Sequence, residues 1–453
     1  MDLQSWKQKK KSVEKETNES KIKKSLKYSI LDASFYSAMV GFGESFFSAF
    51  AVFLKSSNSQ IGLLGSLPQT LGSIIQLFSE KLLNLLNSRK RFVCISAFLQ
   101  ALMYIPIALV FFFGEFSPYM LILFVCFYFI FGMIAGSAWS SWMGDMVNEE
   151  ERGSYFSKRN TIAGFISFIA LLTAGYLLQN FDKTQYLGFT IIFILAFLFR
   201  IISVIYLSLK YEPKYIAQKD DKTSFIDFIK KAGSRDYGVF ILFLCLMNFS
   251  IYIAAPYFAA YMLYDLRLTY IQYTILIAAA VISKYLSMMM WGKAVDKYGT
   301  KKVLTLSGFL MPSVSLLWIF SPSLNYLILV QMFSGFVWAG FEIASFNFFF
   351  DTIIPQKRAK YISYYNVLNG IALFTGAMAG ALLIKYNMFS WPKYYTVFLL
   401  SGILRYLMAF LFIPRLKEVR NVDKITYPRL LFDILTTSTT SLVYGIATFK
   451  KKR

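Results

Sequence analysis

The sequence predicts an all-α membrane protein, with twelve transmembrane helices in two pseudo-symmetric six-helix bundles. Three observations predict it: long apolar runs, basic residues gathered on alternate loops, and a stretch that recurs at a fixed offset. Of 453 residues 57% are hydrophobic and 19% aromatic, and only 16% are charged. The mean hydropathy is +0.51. A soluble chain of this length needs many more charged groups to cover its surface.

The runs come first. A helix needs about 20 mainly apolar residues to cross a bilayer core, and in lipid the backbone must satisfy its own hydrogen bonds. Twelve runs meet this need: 29–54, 60–79, 92–113, 117–141, 160–180, 186–208, 237–263, 269–291, 303–321, 325–350, 364–385 and 394–413. The alternating pattern of an outer-membrane β-barrel is absent.

Charge comes second. The net charge is +22, but its distribution argues against nucleic acid. With the N-terminus placed in the cytoplasm, the inside segments hold 39 Lys and Arg and the outside segments hold 5: Lys55, Lys183, Arg267, Lys385 and Lys393. Such a bias sets N-in, C-in topology, and the surplus suits anionic lipid headgroups. The Lys-rich residues 1–28 lack the apolar core and cleavage site of a signal peptide and read as a solvated, disordered tail. Leu430 to Phe449 reads as a cytoplasmic interfacial helix, because a thirteenth span would put Lys450 to Arg453 outside.

The repeat is the third observation. Residues 145–164 and 351–370 align without gaps at an offset of 206, with six of twenty positions identical: Asp145/Asp351, Arg152/Arg358, Tyr155/Tyr361, Ser157/Ser363, Asn160/Asn366 and Gly164/Gly370. Chance gives about one. Arg200 and Arg405 echo each other as well. The domain plan is a basic tail (1–28), a six-helix bundle (29–208), a linker (209–236), a second bundle (237–414) and a C-terminal tail (415–453). Within the linker, Ser224 to Lys231 reads as a short interfacial helix.

Several chemistries drop out. The chain has no histidine, which removes His-containing metal sites, Ser-His and Cys-His catalysis and histidine relays. Cys94, Cys126 and Cys245 all lie in spans, so no disulfide framework is implied. There is no phosphate-binding Gly-x-x-x-x-Gly-Lys-Ser/Thr loop. Neither a metal nor a cofactor is expected.

The loop after the eighth run reads Trp291-Gly292-Lys293-Ala294-Val295-Asp296-Lys297-Tyr298-Gly299-Thr300-Lys301-Lys302. It resembles the cytoplasmic loop motif of the major facilitator superfamily, in its prokaryotic type. Gly292 would let a helix end pack closely, and Gly299 would supply a turn with positive φ. Asp296 can accept from a helix N-terminus or pair with a cation. Lys301 and Lys302 would anchor the next helix. The loop after the second run is degenerate: Arg89 and Lys90 match Lys301 and Lys302, but Asn84 replaces Asp296 and Asn87 replaces Gly299. Trp139 to Asp145 with Phe156 to Asn160 looks like the family's linker between its fourth and fifth helices.

The resemblance implies secondary transport in the inner (plasma) membrane, with runs one, four, seven and ten lining a cavity. Ionisable residues inside spans cost about 3 kcal/mol each and need a reason. Glu44 and Glu342 fall on cavity runs as candidates for substrate or proton coupling, since a carboxylate held from water can load and release a proton. Lys284 is either a cation for an anionic substrate or the partner of Glu342. Asn248, Tyr252 and Trp338 are the polar and aromatic candidates beside them. Asp32 reads as meeting interface water, and Arg200 with Arg405 as a repeated snorkelling or inter-helix clamp. Gating is assigned to Gly292, Asp296, Gly299, Lys301 and Lys302, with Asp145, Arg152, Asp351 and Arg358; the two arginines would cap helices or bind the two aspartates. Gly132/Gly136 and Gly376/Gly380 have the spacing of close helix contacts.

The leading function is alternating-access transport of a small solute by a monomer in lipid, with protons or another ion as coupling partner. A facilitative uniporter, a non-transporting sensor and a lipid-modifying membrane enzyme are the alternatives.

Overall fold

The computed structural model describes residues 3–147, 149–181, 186–213, 225–232, 236–353, 355–387, 391–418, 422–423 and 425–436. No strand forms among them. The first six spans are α1 (Leu3–Phe42, resuming through Glu44–Phe46 and Phe47–Phe53), α2 (Asn58–Gln76), α3 (Arg89–Leu102, continued by Tyr104–Leu109), α4 (Ser117–Met146), α5 (Glu149–Gln179) and α6 (Leu187–Ser208). After a linker helix at Phe225–Ala232 come α7 (Asp236–Tyr252, broken into short pieces to Asp265), α8 (Tyr270–Tyr298), α9 (Thr300–Leu317), α10 (Leu324–Thr352), α11 (Pro355–Tyr386) and α12 (Lys393–Phe412).

Among the described residues nine stretches are long and apolar enough to cross a membrane. One of them, Arg89–Met146, holds both α3 and α4, which turn at Gly114 with φ +57°. The more polar α2 and α9, with Pro68 and Pro312 inside them, complete the twelve. Bulky apolar side chains such as Phe112, Leu329 and Phe410 stay more than 60% exposed, as lipid-facing side chains do.

Contacts divide the chain into two compact units, Met1–Phe50 with Leu71–Lys219, and Ala51–Thr70 with Asp220–Arg453. The first is cored by interlocking rings of Phe47, Phe50, Tyr104, Tyr128, Phe189 and Phe193. In the second, Phe258, Tyr261, Trp318 and Phe398 do the same. There Gly376 and Gly380 lie against the Phe249 and Ile253 carbonyls of α7, with no room for a Cβ. That is the close contact their spacing implied. Gly132 instead faces the Gln100 side chain, and Gly136 faces open space. The segment Ala51–Thr70 is held to its unit by hydroxyls: Tyr264 donates to the Val52 carbonyl (2.7 Å), Tyr394 to Asn58 Oδ1 (3.0 Å) and Thr70 to the Gly370 carbonyl (2.7 Å).

One expectation changes, and two helices gain detail. The N-terminal tail is not disordered: Leu3–Phe42 is one helix. Residues 1–28 contain neither Gly nor Pro, and Lys and Glu propagate a helix that the apolar span already nucleates. The linker helix docks Phe228, fully buried, among the rings of Tyr237, Tyr361 and Tyr364, while Ile226 and Ile229 stay exposed. The described part of the C-terminal helix buries Leu430 and Ile434; residues 437–449 lie outside the described residues.

Candidate functional site

Several candidate side chains sit where helices break or end, whereas Lys284, Glu342 and Trp338 lie mid-helix. In the first unit α1 breaks at Gly43, where Tyr104 fills the space a Cβ would take. The break turns Glu44 into the half-buried interior of the unit, where Glu44 Oε2 accepts a hydrogen bond from the Tyr128 hydroxyl (2.8 Å). No cation lies within ion-pair distance of Glu44 among the described residues.

Asp32 does not meet interface water; it is 3% exposed. Its Oδ1 accepts from Ser203 (2.8 Å) and its Oδ2 from the Lys210 ammonium (2.9 Å), with Arg159 at 3.8 Å. Burial draws Lys210 below the ordinary lysine range, and the Asp32 carboxylate pulls it back. Arg200 is 5% exposed and does not snorkel, because Ser203 and the face of Tyr36 take its guanidinium (2.9 Å and 4.8 Å).

In the second unit Lys284 and Glu342 form an ion pair at 2.6 Å, their side chains 31% and 41% exposed. Gly335 makes it possible: it lets α10 lie against the α8 backbone at Ala280 and Lys284. Asn248 Nδ2 donates to Asn369 Oδ1 (2.6 Å) and Tyr365 Oη (3.4 Å), and Tyr252 reaches Gln69 at 3.4 Å. Trp338 is half-buried and meets Phe341 edge-on. Arg405 acts as a clamp, its Nη2 donating to the Ile251 carbonyl (3.4 Å) where α7 breaks.

Two loop corners hold the remaining candidates. At the start of α3, Arg89 is 2% exposed; its Nη1 pairs with Asp145 (2.5 Å). Glu212, following α6, accepts from the Arg89 and Lys90 amides (2.6 and 3.2 Å) and from the Ser88 hydroxyl (2.6 Å). At the start of α9, the Thr300 hydroxyl donates to Asp351 (2.8 Å) and the Lys301 amide to Glu418 (2.8 Å). Carboxylates at helix N-termini answer the unpaired amides and the positive end of the dipole.

Gly299 has φ +90°, as the motif required, and a Cβ there would also strike Glu418 and Val422. Gly292 does not mark a close approach, since a Cβ there meets nothing within 4 Å; that face of α8 is open. Asp296 is exposed on the last turn of α8. Lys302 Nζ donates to the Asp423 carbonyl (3.1 Å) and Tyr298 to Asp433 (2.5 Å), so the C-terminal segment straps this corner. The side chains of Arg152 and Arg358 lie outside the described residues.

Sequence reasoning missed Glu212, Glu418 and Lys210, and gave Arg89 only a place in a degenerate motif. The signal for the glutamates was present: 212 and 418 are related by the same offset of 206, each just beyond the last helix of its set.

The helical architecture is shared with known proteins. The sequence model of the Major Facilitator Superfamily matches residues 33–258 and 238–449. An uncharacterized MFS-type transporter, YdgK of Bacillus subtilis (strain 168), is 23% identical over 148 residues, 33% of this chain and 36% of the relative. The chain thus spans about a third of that protein. Among solved structures, the xylose transporter XylE from E. coli superposes with a TM-score of 0.65 at 14% identity, covering 89% of this chain and 100% of that one. A variant of the nucleoside transporter NupG gives 0.64 at 18%, covering 87% and 100%. A bacterial homolog of the human lysosomal transporter Spinster gives 0.62 at 12%, covering 87% and 96%. With family matches running through both sets of six helices, the chain belongs to the major facilitator superfamily.

Proposed function

We propose that the chain is a secondary active transporter that moves a small solute by alternating access and couples it to protons through Glu44. One observation carries the choice of Glu44. It is a half-buried carboxylate at a helix break whose partner is a neutral phenol, Tyr128. Glu342 is instead paired with the Lys284 ammonium at 2.6 Å. A carboxylate without a counter-cation can exist in both protonation states during a cycle, whereas a paired one pays to lose its charge. Breaks in cavity helices are where transporters of this kind place substrate and ion sites. Glu342, Lys284, Asn248, Tyr252 and Trp338 are assigned to the substrate. The protein works as a monomer in the cell membrane, both termini cytoplasmic, by the basic bias of its inner loops.

The test starts from a melting screen in detergent against sugars, nucleosides, amino acids, organic anions and lipophilic cations, because a ligand of the folded state stabilises it. The hit is then followed into proteoliposomes. The wild type is expected to show counterflow and pH-driven accumulation, and Glu44→Gln to keep counterflow while losing accumulation at least tenfold. Undiminished accumulation in Glu44→Gln rejects the proton assignment. Binding without counterflow in the wild type makes the protein a sensor.

A further inference from the structure

Two buried guanidiniums, Arg200 and Arg405, have no carboxylate within ion-pair distance among the described residues. The fold settles Arg405 with backbone. Its Nη2 donates to the Ile251 carbonyl, and nearby Ser401 donates to the Ser250 carbonyl (2.6 Å). The cation therefore faces the C-terminal carbonyls of the α7 segment that ends at Tyr252, the negative end of a helix dipole.

Arg200 has no such end to face, because the α1 segment beside it runs on to Phe42. Its Nη1 donates to Ser203, its plane lies over Tyr36, and its Nε, like that of Arg405, is buried without a partner. Ser203 in turn donates to Asp32, but that carboxylate already serves Lys210 and Arg159. Two cations thus pair with one carboxylate, and Arg200 reaches it only through the Ser203 hydroxyl. Buried charge of one sign is costly unless a counter-charge arrives.

The cluster is open on one side: Tyr36 is 37% exposed, and the charged groups facing it are Glu44, Arg200, Asp32 and Arg159. Glu44 lies about two turns further along α1 and is held by Tyr128. On the other side, Trp139 lies within 4.4 Å of Arg159 and 5.7 Å of Lys210, measured to its ring centre.

We propose that this cluster binds an anion, a carboxylate or phosphate group, with Arg200 as its principal ligand and Tyr36 at its opening. The planar fork of Arg200 has its Nε unused, which suits the paired oxygens of such a group. A free solute and a lipid headgroup share this chemistry. The site rests on its own geometry; its place on the transport route rests on the reading above, and binding measured without flux lets the two fail separately.

The experiment titrates the purified full chain in neutral detergent with potassium phosphate and with potassium acetate, against potassium chloride at equal ionic strength. Melting temperature and tryptophan fluorescence are read together. The wild type is expected to respond saturably to phosphate or acetate. Arg200→Gln should weaken the apparent Kd at least tenfold, and Trp139→Phe should remove the fluorescence change while leaving the melting shift. No saturable response in the wild type, or an unchanged Kd in Arg200→Gln, overturns the proposal. Should Arg200→Gln fail to fold, Arg200→Lys replaces it: a point charge in place of a fork should weaken binding at least threefold, and unchanged affinity overturns the proposal. Adding phosphatidylglycerol, with phosphatidylcholine as control, separates the sources. Competition with phosphate assigns the site to a headgroup, and its absence assigns the site to a free solute.

Discussion

The corner at the start of α3 and the corner at the start of α9 occupy matching places in the two halves of the duplication. Both bring an aspartate from the end of the fourth helix of their set, Asp145 or Asp351. Both bring a glutamate from beyond the last helix, Glu212 or Glu418. In each, the glutamate accepts the amide of the matching basic residue, Arg89 or Lys301. The side-chain donors have changed partners. In the first corner the Ser88 hydroxyl goes to Glu212 and the Arg89 guanidinium to Asp145. In the second the Thr300 hydroxyl goes to Asp351. Contacts made by the backbone survived sequence divergence, because any residue supplies an N–H; contacts made by side chains were redistributed among whatever donors each half retained.

The two turns before these helices differ in the same spirit. Asn87 (φ 49°, ψ 24°) sits in the left-handed region that Asn tolerates. Gly299 (φ 90°, ψ 157°) sits where only Gly is comfortable.

The comparison can be broken in three ways, each read as a melting shift in detergent. The largest effect is expected for Asp145→Asn, which leaves the buried Arg89 guanidinium without its carboxylate and should cost about 2–3 kcal/mol. If that loss is no greater than the loss from Thr300→Val, the two corners do not differ in the way described. Gly299→Asn comes next at about 1–3 kcal/mol, from backbone strain and the collision with Glu418. Its mirror, Asn87→Gly, should change stability by only a few tenths of a kcal/mol; an equal cost at both positions would remove the conformational distinction. Thr300→Val falls between these two, at about 1 kcal/mol for one hydrogen bond to a half-exposed acceptor.

Much of the candidate site was legible, and the reasons can be traced residue by residue. Glu44, Glu342 and Lys284 stood out because ionisable groups in apolar runs are costly, and the alternative that Lys284 pairs with Glu342 is what the structure contains. Gly299 stood out because a turn demanded it. Gly292 looked equivalent in sequence, but whether a glycine marks close packing depends on a neighbour that the sequence does not place. Asp32 was misread as interfacial because its depth was judged along one helix, while Lys210 and Arg159 reach it from two others. Arg89 lay in a motif that had lost its aspartate, which hid that its carboxylates come from Asp145 and Glu212.

The sequence by itself determined the class of protein, the twelve spans, their duplication and their grouping in sixes, since these depend on hydropathy, charge bias and periodicity along a single chain. Tertiary structure alone decided which charges meet. It gave Arg405 a helix end and left Arg200 with a ring and a hydroxyl, and it set Glu44 beside a phenol and Glu342 beside an ammonium. Apart from the Arg200–Ser203 contact, these outcomes depend on distances of a few ångströms between residues more than fifty positions apart, and no pattern along the chain encodes such distances.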